Sequence, residues 1–388
     1  MIARALRSRW SLWGALALAS AVAHGAPAQP TEAVDLTEPA DLTEPVDLTE
    51  LVDLAELVDL AEPVDEAPRM ADPAARLPAG GSASEHWEWT VRLDSGHWIV
   101  GRLVVTNFGP GERNAVVLGH VITPGGRSVL FKNGRLEDYW KLSEDRRSLD
   151  VGSSHLSLGA SETRLRIDKD RARIDLRFEP QALPQPPADA LPSGIGLEVL
   201  ALAAPVHGTL QLESMPEPLA VRGHASLVHT WMTAEEGERV HRRLDFHALG
   251  DPALYILDWT EPGGRRSNWL LARIGEGEPI AFSNFAARLE GELPDLERPG
   301  YWVPAGIEWS GACVEGFAAL SRTLRENDPL VFLPQPLRWL VGLRVQPHRV
   351  WATSGFGVTL RACSGRSPIE LMGTGIAALT FMDPLTRP

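Results

Sequence analysis

The sequence predicts an all-β protein: two tandem β units with few helices, preceded by a disordered acidic segment. Three observations predict this. From about Ser82 onward the chain runs in short stretches of alternating apolar and polar residues, the pattern of half-buried strands. Glycine (35 residues) and proline (31) are spread along the 388 positions, which favours many short elements joined by turns over long helices. Nowhere does a strand-like run alternate with a helical one as in an α/β fold.

Taken in order, the chain opens on an export signal. Arg4, Arg7 and Arg9 form a basic head, SLWGALALASAVA an apolar middle, and small residues near Ala23 and Gly25 give cleavage sites, so residues 1–25 read as a signal peptide and the mature protein as periplasmic or extracellular. The apolar run is short for a bilayer span, which needs roughly 20 residues, and no later run is longer. Residues 26–81 form a tether. Within it a hexad repeats (VDLTEP, ADLTEP, VDLTEL, VDLAEL, VDLAEP), with Asp at 35, 41, 47, 53, 59 and 65. A period of six matches neither helix nor coiled coil, and Pro39, Pro45 and Pro63 interrupt any long helix. Residues 31–68 carry 13 acidic side chains and no Lys or Arg, so this segment accounts for most of the net charge of −14. The rest of the chain holds 38 acidic against 37 basic residues, which leaves no basic stripe for nucleic acid.

The first β unit is placed at 82–190. HWEWTVRL puts Trp87, Trp89, Val91 and Leu93 on one face, DSG makes a turn, and HWIVGRLVVTNF, AVVLGHVIT and RSVLFKNG follow, with GPGERN as a loop. TRLRIDKDRARIDLRF reads as a hairpin in which Leu165 and Ile167 face Ile174, Leu176 and Phe178. The Pro- and Ala-rich stretch 179–196 suits a crossover into a second unit at 191–388. That unit holds HGTLQLE, VRGHASLVHTWM, RVHRRLDFHAL, ALYILDWT, SNWLLARI, PIAFSNFAARLEG, GIEWSGA, LRWLVGLRV and GIAALTFM. FAALSRTLREN at 317–327 is expected to be a helix. Cys313 and Cys363 are the only cysteines; a disulfide and two buried thiols both fit an exported protein.

Two features bear on function. Thirteen Trp stand against three Tyr, and Trp87, Trp89, Trp98, Trp259 and Trp269 are candidates to line a pocket for an apolar ligand. In VRGHASLVHTWM, the face holding Ala225, Leu227 and Trp231 also holds His229, an imidazole two residues from an indole. A core histidine bonded to a neighbour explains it, and so does a site residue. RVHRRLDFHAL carries His241, Arg243, Asp245 and His247 on one face; a solvated polar face accounts for it more cheaply than a metal site, and no metal or cofactor is expected.

The order WTVRLDSGHWIVGRLVVTNFGPG, VLGHVITPGGRS, GHASLVHTW resembles the hydroxyneurosporene synthase (carotenoid 1,2-hydratase) superfamily, with its survival-factor-like proteins and lipocalin-like Diels–Alderases. Gly96-His97-Trp98 also matches the lipocalin G-x-W. The resemblance covers residues 82–388 and implies two tandem lipocalin-like β-barrel or sandwich units that handle hydrophobic small molecules. It implies a catalytic set of His229, Trp231, Tyr255 and Asp258, with Asp258 as proton donor, Trp231 facing a developing carbocation, His229 orienting the donor or water, and Tyr255 bonded to one of them. The family spaces its tyrosine and aspartate two apart. Here they are three apart, which sends them to opposite faces of a regular strand unless a bulge intervenes.

The sequence holds no G-x-S-x-G elbow, phosphate loop, H-E-x-x-H or dinucleotide fingerprint. The expected function is binding or carrying a hydrophobic small molecule, a lipid or isoprenoid. The alternative is an enzyme of the hydratase or pericyclase type acting on such a molecule, and a third is a structural envelope protein with filled barrels.

Overall fold

The structure, a computed structural model, describes residues 67–107, 113–169, 171–234, 236–283, 285–291, 303–327, 347–361 and 367–382. The signal segment, the hexad repeat, the centre of the GPGERN loop, LRWLVGLRV and Cys363 lie outside them.

Along the chain the described strands are β1 (Arg69–Met70), β2 (Ser84–Leu93), β3 (Trp98–Thr106), β4 (Asn114–Ile122), β5 (Ser128–Arg135), β6 (Trp140–Leu142), β7 (Ser148–Val151), β8 (Ser154–Leu158), β9 (Thr163–Lys169), β10 (Ala172–Phe178), β11 (Ala182–Leu183), β12 (Ile195–Leu212) and β13 (Leu219–Met232). After a one-turn helix, α1 (Glu236–Arg239), come β14 (Arg242–Leu249), β15 (Ala253–Thr260), β16 (Arg266–Arg273), β17 (Ile280–Ser283), β18 (Ala286–Glu290), β19 (Gly306–Ser310), β20 (Val314–Asn327), β21 (His348–Leu360) and β22 (Ile369–Phe381).

Eleven strands make a nearly closed antiparallel barrel in the order β5-β4-β3-β2-β13-β12-β10-β9-β8-β7-β6. Its edges approach through Asn133 on β5, whose Nδ2 donates to the carbonyl of Val151 on β7 at 2.7 Å. The alternation of β2 sends Trp87, Trp89, Val91 and Leu93 inward, where they pack with Phe131, Leu156, Ile167, Leu176 and Leu227. The 163–178 hairpin pairs as its alternation requires, with Ile167 opposite Ile174 and Leu165 opposite Leu176. Two large indoles, Trp87 and Trp89, occupy this interior and are almost completely buried.

The second sheet, β17-β16-β15-β14-β22-β21-β20-β19-β18, is a half-barrel around Leu244, Phe246, Ile256, Trp309, Phe356 and Phe381. Cys313 is buried in this core and disulfide-bonded. The two sheets meet along a seam. Leu197, Val199, Val228 and Met232 of the barrel pack there against Leu257, Trp259, Trp269 and Leu271, and Val100 and Ile122 pack against Trp351, Ile376 and Ala378. β2 and β14 are therefore buried on both faces along almost their whole length.

Three expectations meet a different structure. The sheets change over between Met232 and Arg242, because the β12–β13 hairpin inserts between β10 and β2 rather than joining the second sheet. Residues 317–327 belong to β20. Register shifts after Leu320 and Thr323 disturb the two-residue alternation there, which is why the segment reads as helical. Residues 69–77, grouped by composition with the tether, lie on the barrel: β1 pairs with β11, and Ala71, Ala75 and Leu77 pack against its core.

Candidate functional site

Two buried polar groups stand out, one at a barrel end and one in the seam. At the barrel end, β13 places His229 beside Trp87 of β2 in register, and Trp231 beside Glu85. The His229 ring stacks on Trp87 at 4.7 Å and 9° and meets Trp231 at 5.1 Å. Trp231 lies flat against the backbone of Gly196, where an added Cβ would come within 2.1 Å of its ring. His229 Nε2 lies 2.6 Å from Glu85 Oε1, and both side chains are buried. The Glu85 carboxylate also accepts the backbone N–H groups of Arg76 (2.8 Å) and Leu77 (2.6 Å). A carboxylate accepting these makes Nε2 the donor toward Glu85, and Nδ1 has no hydrogen-bond partner among the described residues.

In the seam, Arg243 is the hub. Its Nε and Nη2 form a fork onto Asp245 (2.5 and 3.1 Å), Nη2 lies 3.3 Å from Glu88, and Nη1 reaches Glu236 (3.4 Å) and His86 Nε2 (3.1 Å). Arg349 pairs with Glu88, and Arg102 lies 3.5 Å from Glu236. Tyr255 donates to Asp245 at 2.8 Å, and Arg243 also sits 4.9 Å over the ring of Trp259. Three guanidiniums thus meet three carboxylates, with Arg243, Arg349, Asp245 and Glu88 buried and Arg102 and Glu236 partly exposed at the margin; in the buried part neither sign is tolerated alone. Burial lowers His86 to about 3 and His247 to about 4, so both rings are neutral. Burial alone would raise Glu236, but Arg102 and Arg243 bring it to about 2; Glu88 is held well below the carboxylate range against its burial by Arg349 and Arg243. Burial and Asp245 push Tyr255 well above its ordinary value.

The four residues of the implied catalytic set fall in three places. His229 and Trp231 share the barrel end. Tyr255 faces the seam. Asp258 faces the half-barrel interior, fully buried, accepting from Arg242 Nη2 at 2.8 Å; burial raises its pKa, with Arg242 and Arg266 opposing. β15 pairs without a register shift from Ala253 to Thr260, so no bulge brings Tyr255 and Asp258 together, and Leu257 occupies the position two beyond the tyrosine. The five tryptophans also divide: Trp87 and Trp89 lie inside the barrel, Trp259 and Trp269 in the seam, and Trp98 at the seam's edge under Arg92. The face read as solvated, with Arg243, Asp245 and His247, is instead almost completely buried, because the barrel covers it. Glu85, Glu88, Glu236 and Arg349 carried no sequence signal of their own.

No known family profile matches the chain, and no curated protein matches it in sequence. Solved structures do match in shape. A protein designated AttH from Nitrosomonas europaea aligns over 82% of this chain and 100% of its own, with 12% identity and a TM-score of 0.58. CghA, solved with Sch210972, aligns over 84% and 99%, with 11% identity and a TM-score of 0.54. Kievitone hydratase from Nectria haematococca aligns over 82% and 98%, with 10% identity and a TM-score of 0.50. The chain shares their fold. The lipocalin-like, two-sheet architecture implied by the resemblance at 82–388 is therefore present, while at these identities the likeness speaks to fold and not to chemistry.

Proposed function

We propose that this is an exported protein that binds a hydrophobic small molecule, seated at the barrel end around Trp87, His229 and Trp231. The observation that carries this reading is the aromatic stack with an open polar atom: Trp87 and Trp231 flank an imidazole whose Nδ1 is buried and has no hydrogen-bond partner among the described residues. An apolar, aromatic wall with a few convergent polar atoms is the usual make-up of a small-molecule pocket. The signal read at residues 1–25 supports an extracytoplasmic setting. Among the described residues no helix is long and apolar enough to cross a membrane. The test is mass spectrometry of whatever leaves the natively purified protein in organic solvent, run beside quenching of its tryptophan fluorescence by added apolar compounds. An apolar molecule at stoichiometric amount, or saturable quenching, supports the reading; neither appearing refutes it.

A second reading, an enzyme acting on such a molecule, is favoured by the seam. Tyr255, Asp245 and Arg243 form a relay beside two neutral histidines, and strongly shifted groups gather at reactive sites. In this reading Tyr255 and His247 meet the substrate and Asp245 orients Tyr255. The separation of Asp258 from His229 argues against the hydratase arrangement that the resemblance implies.

A further inference from the structure

The segment running over the barrel end is built differently from everything beneath it. Its apolar share is small: Ala71, Ala75 and Leu77. It is held mostly by polar latches. Arg69 and Arg76 reach Glu198 (3.2 and 3.1 Å), and Arg76 also lies 4.1 Å over Trp231. Ala75 donates to the carbonyl of Arg146 (2.8 Å), Arg146 returns a bond to the carbonyl of Arg76 (2.9 Å), and Arg147 pairs with Asp72 (3.3 Å). The ladder that anchors its start is only two residues long. Leu77 is held at φ 45°, the left-handed region that a leucine avoids, so that its N–H and that of Arg76 point together at Glu85. Arg69 and Arg76 reach the buried Glu198 from partly exposed positions, Arg147 and Asp72 are both exposed, and small side chains bury little area, so this segment is held to the barrel chiefly by polar contacts that water can replace.

Under it lie the groups a ligand would want. His229 is buried, stacked on Trp87 with Trp231 tilted against it; its Nδ1 has no hydrogen-bond partner among the described residues, and it shares the Glu85 carboxylate with the covering segment. We infer that Arg69–Leu77 is a displaceable strap, and that the molecule admitted beneath it is a flat apolar compound carrying a hydroxyl group for His229 Nδ1. This rests on the ligand-binding reading above and adds to it the gate and the class of ligand. The hydroxyl requirement follows from the buried Nδ1: a hydroxyl can both donate and accept, so it satisfies that nitrogen in either role, and it carries no charge into an apolar site. The closed strap lowers apparent affinity in proportion to the fraction of time it is open.

The experiment uses the full chain and two probes, 2-naphthol and 2-methylnaphthalene, which have similar shapes and differ by the hydroxyl. The Arg69→Ala/Arg76→Ala double variant removes both ion pairs to Glu198 at partly exposed positions. It should bind 2-naphthol about tenfold more tightly than the wild type, with 2-methylnaphthalene at least about tenfold weaker in both. Hydrogen exchange supplies a ligand-free reading. Amides of 75–77 should exchange about tenfold or more faster than those of β2 in the wild type, and faster still in the variant. Strap amides exchanging at the rate of β2, with both proteins binding 2-naphthol alike, overturn the strap and leave the binding reading standing. Fast strap exchange with no binding of either probe by either protein overturns the pocket and the binding reading at this end. Equal affinity for the two probes overturns the role given to His229 Nδ1.

Discussion

The barrel end and the seam are both buried and both polar, yet they are stabilised in opposite ways. At the barrel end a carboxylate–imidazole pair sits among indoles, closed over by a light segment whose polar contacts run from partly exposed arginines and backbone N–H groups to two buried carboxylates, Glu198 and Glu85. In the seam three arginines and three carboxylates neutralise one another between two full sheets. On the proposed reading the first opens by lifting one segment, whereas the second cannot lose a member without stranding a charge. The difference separates a place suited to admitting a molecule from one that joins two halves of the protein.

The largest expected effect comes from breaking the seam. Arg243→Ala leaves Asp245, Glu88 and Glu236 facing one another and should lower stability by about 3–5 kcal/mol. Urea unfolding measures it, and a loss below about 1 kcal/mol would mean that the network is open to water. Acid should act on the same region. His86 and His247 bind protons at about 3 and 4 when folded but near 6.5 when unfolded. The unfolded chain therefore takes up more protons as the pH falls, and the stability these rings contribute is complete above about 6.5 and lost progressively toward 3. Glu236, at about 2 when folded, adds a further loss below about 4.5. Urea midpoints at pH 7, 5.5 and 4 should fall steadily, and His86→Gln, which keeps an acceptor for Arg243, should flatten that fall. A profile unchanged by the substitution contradicts the assignment.

Smaller effects sharpen the contrast. His229→Ala strips Glu85 of its buried partner and leaves a gap between Trp87 and Trp231, so a destabilisation of roughly 1–3 kcal/mol is expected, with faster exchange of the 75–77 amides. Tyr255→Phe removes one of several donors to Asp245 and should cost about 1 kcal/mol by thermal melting, without loosening the strap. If the two substitutions loosen the strap equally, the regions are coupled and the comparison fails.

Much of the fold was legible. The alternation of HWEWTVRL and of the 163–178 hairpin states which side chains face the core, and the three-residue spacing of Tyr255 and Asp258 already places them on opposite faces. The seam was not legible, because alternation reports that β14 has an apolar face and a polar face, and says nothing of a second sheet covering the polar one. Arg243, Asp245 and His247 look solvated in sequence; only the pairing of β13 with β2 brings Glu88 and His86 over them. Of the barrel end, His229 and Trp231 were visible, but their partner Glu85 lies 144 positions away and nothing local marks it.

The indole ¹H–¹⁵N spectrum of the full chain, titrated with 2-naphthol, tests the central claim most directly. Each tryptophan gives one signal, and the candidate rings lie in separate regions. Binding at the barrel end predicts that Trp87 and Trp231 shift and saturate together while Trp259 and Trp269 stay in place. Movement of Trp259 and Trp269 with Trp87 and Trp231 unchanged would place the ligand in the seam and contradict the account.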